Sequence, residues 1–488
     1  MNSPASLQAL APGRSSRVRH VLFVTGGAIA GQGIVIASMP ILTRLYSPGT
    51  FGLYAVFVAL VGLFSTIVSL HFELAIPLPR RETHALRVLQ LAVLSAAAFS
   101  SLLGLLAWVF KARLFALVHA RGLEPFVWLM PCVLFLTGLA TVLSTWAIRR
   151  EAFGVSAIAK TCQGVGQCVP QVAGGLLGDG LAALLIGQVV GQLAAAAALV
   201  PLVPPPVLRL GRARGFAKLR ASAYKYRKFP LLTTWSSLIN ALSANLPVLM
   251  LSLLFGAGVA GFFALSRRVL QVPARFVGQS TSQVFFAMAA QAHRTDSLAP
   301  VTQRVFESLL AFALPTFGLA ACVLPEVTRM AFGARWMTSG VYAQWLMPWI
   351  MFSLISETLS RLVSVLQKQG QELALQIGYL LLIVGALTGG AFWGSRAAIA
   401  LLGVSCGAFL VIKTLWLLRL AGVSLRRALA IGLLEAAFAA PGILLLRWAE
   451  GYLRAGGAVG SAAVLLVLMH GINYGVRGVY GGRRVKAA

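Results

Sequence analysis

The sequence predicts an all-α, multi-pass membrane protein, and three observations lead there. Of its 488 residues 58% are hydrophobic and only 11% are charged, against about 25% charged in a soluble protein. Apolar runs of about 20 residues recur from end to end, the length that crosses a hydrocarbon core about 30 Å thick. The basic residues behind the net charge of +29 sit in alternate loops between those runs. A charge of that size could otherwise point to nucleic acid. No basic soluble domain is present to carry it, so nucleic acid is excluded as a partner.

About fourteen spans can be drawn. They lie near residues 21–43, 51–75, 86–110, 125–147, 155–177, 181–203, 229–254, 257–289, 306–331, 341–366, 372–394, 397–420, 428–448 and 459–479. A polar, basic tail, residues 1–20, precedes the first. That first apolar segment is too long for a signal-peptide core and lacks a cleavage site, so it reads as a retained span. Span eight is too long for one crossing, and its last third is expected to leave the bilayer or run along its surface. Pro204, Pro205 and Pro206 end span six. A basic connection, residues 204–228, then carries Arg209, Arg212, Arg214, Lys218, Arg220, Lys225, Arg227 and Lys228. It reads as a linker on anionic headgroups, each charge contributing about 1 kcal/mol; recruitment of a cytoplasmic partner is the alternative. With both termini cytoplasmic, Lys and Arg on that side outnumber those opposite about threefold, as the positive-inside rule requires. The expected segments are a tail (1–20), an N-terminal six-span lobe (21–203), the linker (204–228), a second six-span lobe (229–420), and a final span pair with a basic tail (421–488).

The sharpest anomaly lies in span eight. Arg267 and Arg268 fall about 15 Å along it, where an arginine costs about 2.5–3.5 kcal/mol on insertion scales. On a helical wheel Arg267, Gln271, Ser282, Arg275, Arg268 and Gln279 share an arc of about 120°, with Val269, Leu270, Val272, Phe276 and Val277 opposite. Arg275 lies about 11 Å further along and reads either as a cavity-lining residue, like Gln271, or as one that only snorkels. Gln32 sits within span one, and Arg44 where that span leaves the membrane. Gln163, Gln167 and Gln171 form a stripe at spacing four in span five, with Gln188 and Gln192 in span six. Asn240, Ser243 and Asn245 lie in span seven. Such amides either bond neighbouring helices or line a cavity. Glu357 and Arg361 in span ten can pair at i, i+4, as a neutral pair or as a gate or ion-coupling site. Glu307 and Glu435 are weaker candidates. Glu73, beside His71, lies at the end of span two, where a charge costs little. The balance of a mid-depth basic pair and few acids attracts anions, and arginine's planar fork suits phosphate.

No other chemistry is indicated. Cys132, Cys162, Cys168, Cys322 and Cys406 lie in spans with no CxxC pair and read as small buried hydrophobes. The histidines lack metal-ligand spacing, so neither a metal nor a cofactor is expected. A phosphate-binding GxxxxGK[ST] loop and a Ser/His/Asp set at one depth are both missing from the sequence, so a non-enzyme is expected.

Three stretches carry a family resemblance: Met39 to Pro79, with its P-x-L-T-R-x-Y-S-P-x-x-F-G-x-Y pattern over Pro40–Tyr54; Ala223 to Phe255; and the helix containing FFALSRRVLQVPARFVGQSTSQVFF. Together they resemble the Wzx-type oligosaccharide flippases. These form the polysaccharide transporter branch of the multidrug/oligosaccharidyl-lipid/polysaccharide exporter superfamily. The resemblance implies two six-helix lobes facing each other in a V, alternating access around a cationic cavity, and two extra C-terminal helices here. It implies a polyisoprenyl-diphosphate-linked oligosaccharide as substrate, for O-antigen, capsule or exopolysaccharide. That substrate would be turned from the cytoplasmic to the periplasmic leaflet of a bacterial inner membrane. A polysaccharide polymerase and a chain-length regulator are the protein partners it leaves open. Arg267 or Arg268 occupies the place assigned to the diphosphate, and Arg44 matches the arginine of the span-one pattern, where it either lines the cavity mouth or meets a lipid headgroup. The rivals are a lipid II flippase, a cation-coupled multidrug exporter of the same superfamily, and a polysaccharide polymerase or ligase. The exporter would call for mid-membrane carboxylates missing from spans one and three to six. The enzymes would call for a large periplasmic loop.

Overall fold

The computed structural model describes residues 31–204, 213–450 and 457–471. The tail at 1–20, residues 21–30 of the first span, 205–212 of the basic connection and the end of the chain from 472, including the end of span fourteen, lie outside the described residues. All regular structure described is helical. The chain divides into two compact units between Asn245 and Leu246.

In the first unit, residues 31–37 are helical and turn at Ser38 into α1 (Met39–Leu45). Then come α2 (Pro48–Ser65), α3 (Glu82–Val109), α4 (Lys111–Leu117), α5 (Leu129–Arg149), α6 (Phe153–Leu177), α7 (Gly180–Leu199) and α8 (Ala213–Lys225). The start of α2 is fixed locally. Ser47 caps it by accepting from the Thr50 N–H at 3.2 Å, and Pro48 fits the first turn, where no N–H is needed. The helices approach closely through glycine, as membrane helices do. A Cβ on Gly31 would lie 2.2 Å from the Lys160 carbonyl oxygen, and one on Gly187 2.4 Å from the Gln171 side chain.

Helix α9 (Thr234–Phe255) follows a short π-helical turn, Phe229–Thr233. The second unit contains α10 (Ala257–Arg294), α11 (Leu298–Phe332), α12 (Met337–Leu359), α13 (Arg361–Val365), α14 (Gln369–Ala391), α15 (Ser395–Leu420), α16 (Leu425–Glu450) and α17 (Gly457–Gly471). Helix α12 is its centre. Gly340 on α12 sits against α11, where an added Cβ would be 2.4 Å from the Pro325 Cα. Gly403 of α15 sits against α12, 2.0 Å from the Trp345 oxygen by the same measure. Ser266 of α10 donates to the Ser339 carbonyl at 2.6 Å.

Two expectations change, and span eight keeps the excess length expected of it. Span two is not helical to residue 75: α2 stops at Ser65, and the chain turns through Leu70 and His71 (φ 53° and 57°) into a 3-10 turn, Phe72–Ala75. Span ten breaks after Leu359 and restarts at Arg361. Span eight runs without interruption for 38 residues, about 57 Å, well beyond the hydrocarbon thickness. Its neighbour α11 is 35 residues long.

The glycine contacts give a paired prediction. Gly403→Ala should destabilise by about 1–3 kcal/mol through overpacking. Gly385→Ala, with nothing within 4 Å of its Cβ position, should be neutral or raise stability by roughly 0.5–1 kcal/mol. Thermal melts of the detergent-solubilised variants would show the opposite signs.

Candidate functional site

Nine helices among the described residues are long and apolar enough to cross a membrane. Helices α6, α10 and α12 are also long, yet they fall outside that set. These three carry the glutamine stripe, the arginines, and Glu357. The polarity that weakens them as spans is therefore where the functional candidates lie.

In the second unit, the Arg267 guanidinium lies 5.5 Å from the ring centroid of Trp349 on α12, within cation–π range. Trp349 is buried. Tyr379 of α14 and Cys406 of α15 lie within electrostatic reach of Arg267. Arg267 feels the charges of Arg275 and Glu357 as well as these groups. Four helices thus converge on Arg267. Arg268 is partly buried beside it. Arg275 is exposed and donates to Gln271 Oε1 at 3.0 Å, along the same face.

The expected Glu357–Arg361 pair is not made. Arg361 donates its Nε to Ser282 of α10 at 2.9 Å. Its partner therefore lies on another helix and not one turn back on its own. Glu357 lies within the electrostatic reach of Arg275, Lys413 and Arg267 instead. Lys413 of α15 pairs with Glu372 of α14 at 2.6 Å, with side chains only 13% and 17% exposed. Sequence reasoning missed this pair, although a lone lysine inside an apolar run was a signal for it.

The glutamine stripe goes mostly to packing. Gln171 is buried and donates to the Leu184 carbonyl at 3.0 Å, while its own carbonyl accepts from Tyr46. Gln167 donates to the Tyr54 hydroxyl, which donates to Gln188 Oε1, both at 3.0 Å. This chain ties α2, α6 and α7 together. Gln163 accepts from Lys160 at 3.3 Å. Gln32, Arg44 and Asn240 are exposed. Asn245 donates to the Ala241 carbonyl and packs on Gly62. Glu307 accepts from Gln303 at 2.7 Å. Glu73 is not solvent-exposed. It is buried with His71 and Ser69. No group of three or more metal-ligating side chains occurs among the described residues.

The helical layout has counterparts among solved structures. An inward closed lipid II flippase MurJ matches with TM-score 0.75 at 10% identity, over 94% of this chain and 99% of MurJ. Inward- and outward-facing forms of a multidrug resistance MATE family transporter of the MOP superfamily match with TM-scores 0.57 and 0.56. Both are at 13% identity, over 83% of this chain and 96% of theirs. Fold and polar helices together define a multi-pass membrane protein built like the transporters of that superfamily. The family follows from sequence: residues 41–340 match the model described as polysaccharide biosynthesis protein, and the chain belongs to that family. No curated sequence matches the chain.

Breaking the Lys413–Glu372 pair should be costly. Lys413→Met alone leaves a largely buried carboxylate and should destabilise by about 3 kcal/mol. Lys413→Met combined with Glu372→Leu should recover most of that loss. A double-mutant cycle of thermal melts measures the coupling.

Proposed function

We propose that this protein is a flippase for polyisoprenyl-diphosphate-linked oligosaccharides. It would move them from the cytoplasmic to the periplasmic leaflet of a bacterial inner membrane, with both termini cytoplasmic. The observation that carries the reading is Arg267. It is an arginine about 15 Å along a membrane helix, seated on Trp349 and accompanied by Arg268, within a family of polysaccharide biosynthesis proteins. An arginine in hydrocarbon is retained where it does work. The charge that suits this place is a diphosphate, which two guanidinium forks can hold through paired hydrogen bonds. Trp349 positions Arg267 for it, and Glu357 and Arg361 serve a gate or the coupling ion. Membership of a family named for polysaccharide biosynthesis favours a surface-polysaccharide cargo. Lipid II is the second reading, favoured by the fold likeness to MurJ across nearly the whole chain.

Arg267→Ala with Arg268→Ala should abolish surface-polysaccharide assembly while the protein still inserts at normal levels. Assembly that survives in that double mutant removes the assignment. Arg267→Lys should retain partial activity, because charge remains and the fork is lost. Trp349→Leu should weaken binding of a polyprenyl-diphosphate disaccharide by about 2- to 30-fold, the affinity equivalent of a cation–π contact of about 0.5–2 kcal/mol.

A further inference from the structure

We propose that His71 and Glu73, in the turn after α2, form a proton-binding site. Three features of the turn meet there. First, both residues are buried, with side chains only 8% exposed. They face each other, with His71 Nδ1 3.2 Å from Glu73 Oε1, and Ser69 donates to the other carboxylate oxygen at 2.5 Å. Second, His71 Nε2 is buried without a hydrogen-bond partner among the described residues. A buried polar atom left so is expensive, and in a native fold it marks a place that asks for an explanation. Third, Leu70 and His71 both hold left-handed backbone (φ 53° and 57°), which costs an L-residue about 1–2 kcal/mol each. Strain of this kind persists where the surroundings over-determine it, and it clusters at switch regions.

The surroundings are apolar: Phe72, Ala75, Ile76, Ala85 and Val142 share one core cluster. Histidine is the side chain whose charge changes between about pH 5 and 8. With the proton bound, imidazolium and carboxylate neutralise each other. Without it, a carboxylate held by Ser69 faces a neutral ring in a dry core, and a lone buried charge is costly. The turn therefore has two charge states of different stability.

The charges on the packed elements are otherwise placed: Arg80 and Arg81 are exposed, and Lys225 lies over the Tyr226 ring. From α3 come Glu82, His84 and Arg87; from α5, Arg149 and Arg150; from the segment before α9, Arg227 and Lys228. Arg149 donates to the carbonyls of Ile76, Pro77 and Pro79 at 3.1, 3.1 and 2.8 Å. Arg150 pairs with Glu82. His84, Arg227 and Lys228 are exposed, and Arg87 is partly buried. Among the described residues none of them hydrogen-bonds His71 or Glu73. Tyr226 and Phe229 pack on the same cluster, so a shift of the turn reaches the stretch that leads into α9. The proton's place in a transport cycle rests on the flippase reading; the site itself is tested apart from it.

The test is hydrogen–deuterium exchange of the full chain in phosphatidylethanolamine/phosphatidylglycerol nanodiscs at about pH 5.5 and about pH 7.5, corrected for intrinsic exchange. Protection over residues 66–81 should change at least about fivefold between the two in wild type. It should become flat in His71→Gln and in Glu73→Gln, which keeps an acceptor for Ser69. A wild-type turn that does not respond to pH overturns the proposal without any variant, as does a Glu73→Gln response equal to wild type. Protection that follows sodium concentration at fixed pH also overturns it, in favour of a sodium site. Arg267→Ala/Arg268→Ala should keep the pH response while losing binding of the polyprenyl-diphosphate disaccharide. If that variant keeps its binding, the flippase reading falls and the proton site stands.

Discussion

Close backbone approach through glycine is the constraint on which the second unit depends. Lipid tails are as apolar as leucine, so helices in a bilayer gain little from burying apolar surface against one another; packing and hydrogen bonds must hold them. Helix α12 meets that demand on three sides. Gly340 lets it settle on α11, Gly403 and Gly407 let α15 settle on it, and Ser266 bonds it to α10. Trp349, between the Trp345 and Pro348 contacts and the end of the helix, therefore has a fixed address. The position of Arg267 follows from that of Trp349, not from any flexible loop.

The charges of that unit then sort themselves by geometry. Lys413 and Glu372 neutralise each other between α14 and α15. Arg361 goes to a hydroxyl. Arg267 and Arg275 are left to share the field of Glu357, with Arg268 alongside, so positive charge is in excess where helices α10, α12, α14 and α15 meet. Such an excess favours an anion that brings its own paired acceptors. The glutamine-bearing first unit is different in kind. Its amides are mostly engaged by tyrosines, backbone and neighbouring helices, and they stiffen it.

Hydropathy made most of the helices legible, because length and apolar content are what a bilayer selects. It failed where backbone chemistry decides. The window over 66–75 is apolar enough to continue α2, but Ser69, His71 and Glu73 offer one another better partners than a helix would, and the chain turns. Spacing made the pairing of Glu357 with Arg361 look sound, but it could not show that Ser282 of α10 would reach Arg361. For the site, spacing alone found the arginines of α10. It could not find Trp349, Tyr379 or Lys413, which lie about 80 to 150 residues away in sequence and meet Arg267 or its neighbours only through the packing of α12. The glutamine stripe was ambiguous for a physical reason: an amide in lipid needs a partner, and sequence does not say whether that partner is a helix or a solute.

Arg149 has one more effect, on the order of assembly. The carbonyls it holds belong to Ile76, Pro77 and Pro79, and the last of these is 70 positions earlier in the chain. At roughly 5–20 residues per second of synthesis, the turn after α2 waits roughly 4–14 s for the side chain that closes it. Through that interval the carbonyls of Ile76, Pro77 and Pro79 lack the guanidinium that holds them in the finished fold. The first unit can adopt its final form only when α5 has left the ribosome, so a chain stalled between the third and fifth helices would hold an open turn for quality-control proteases to find.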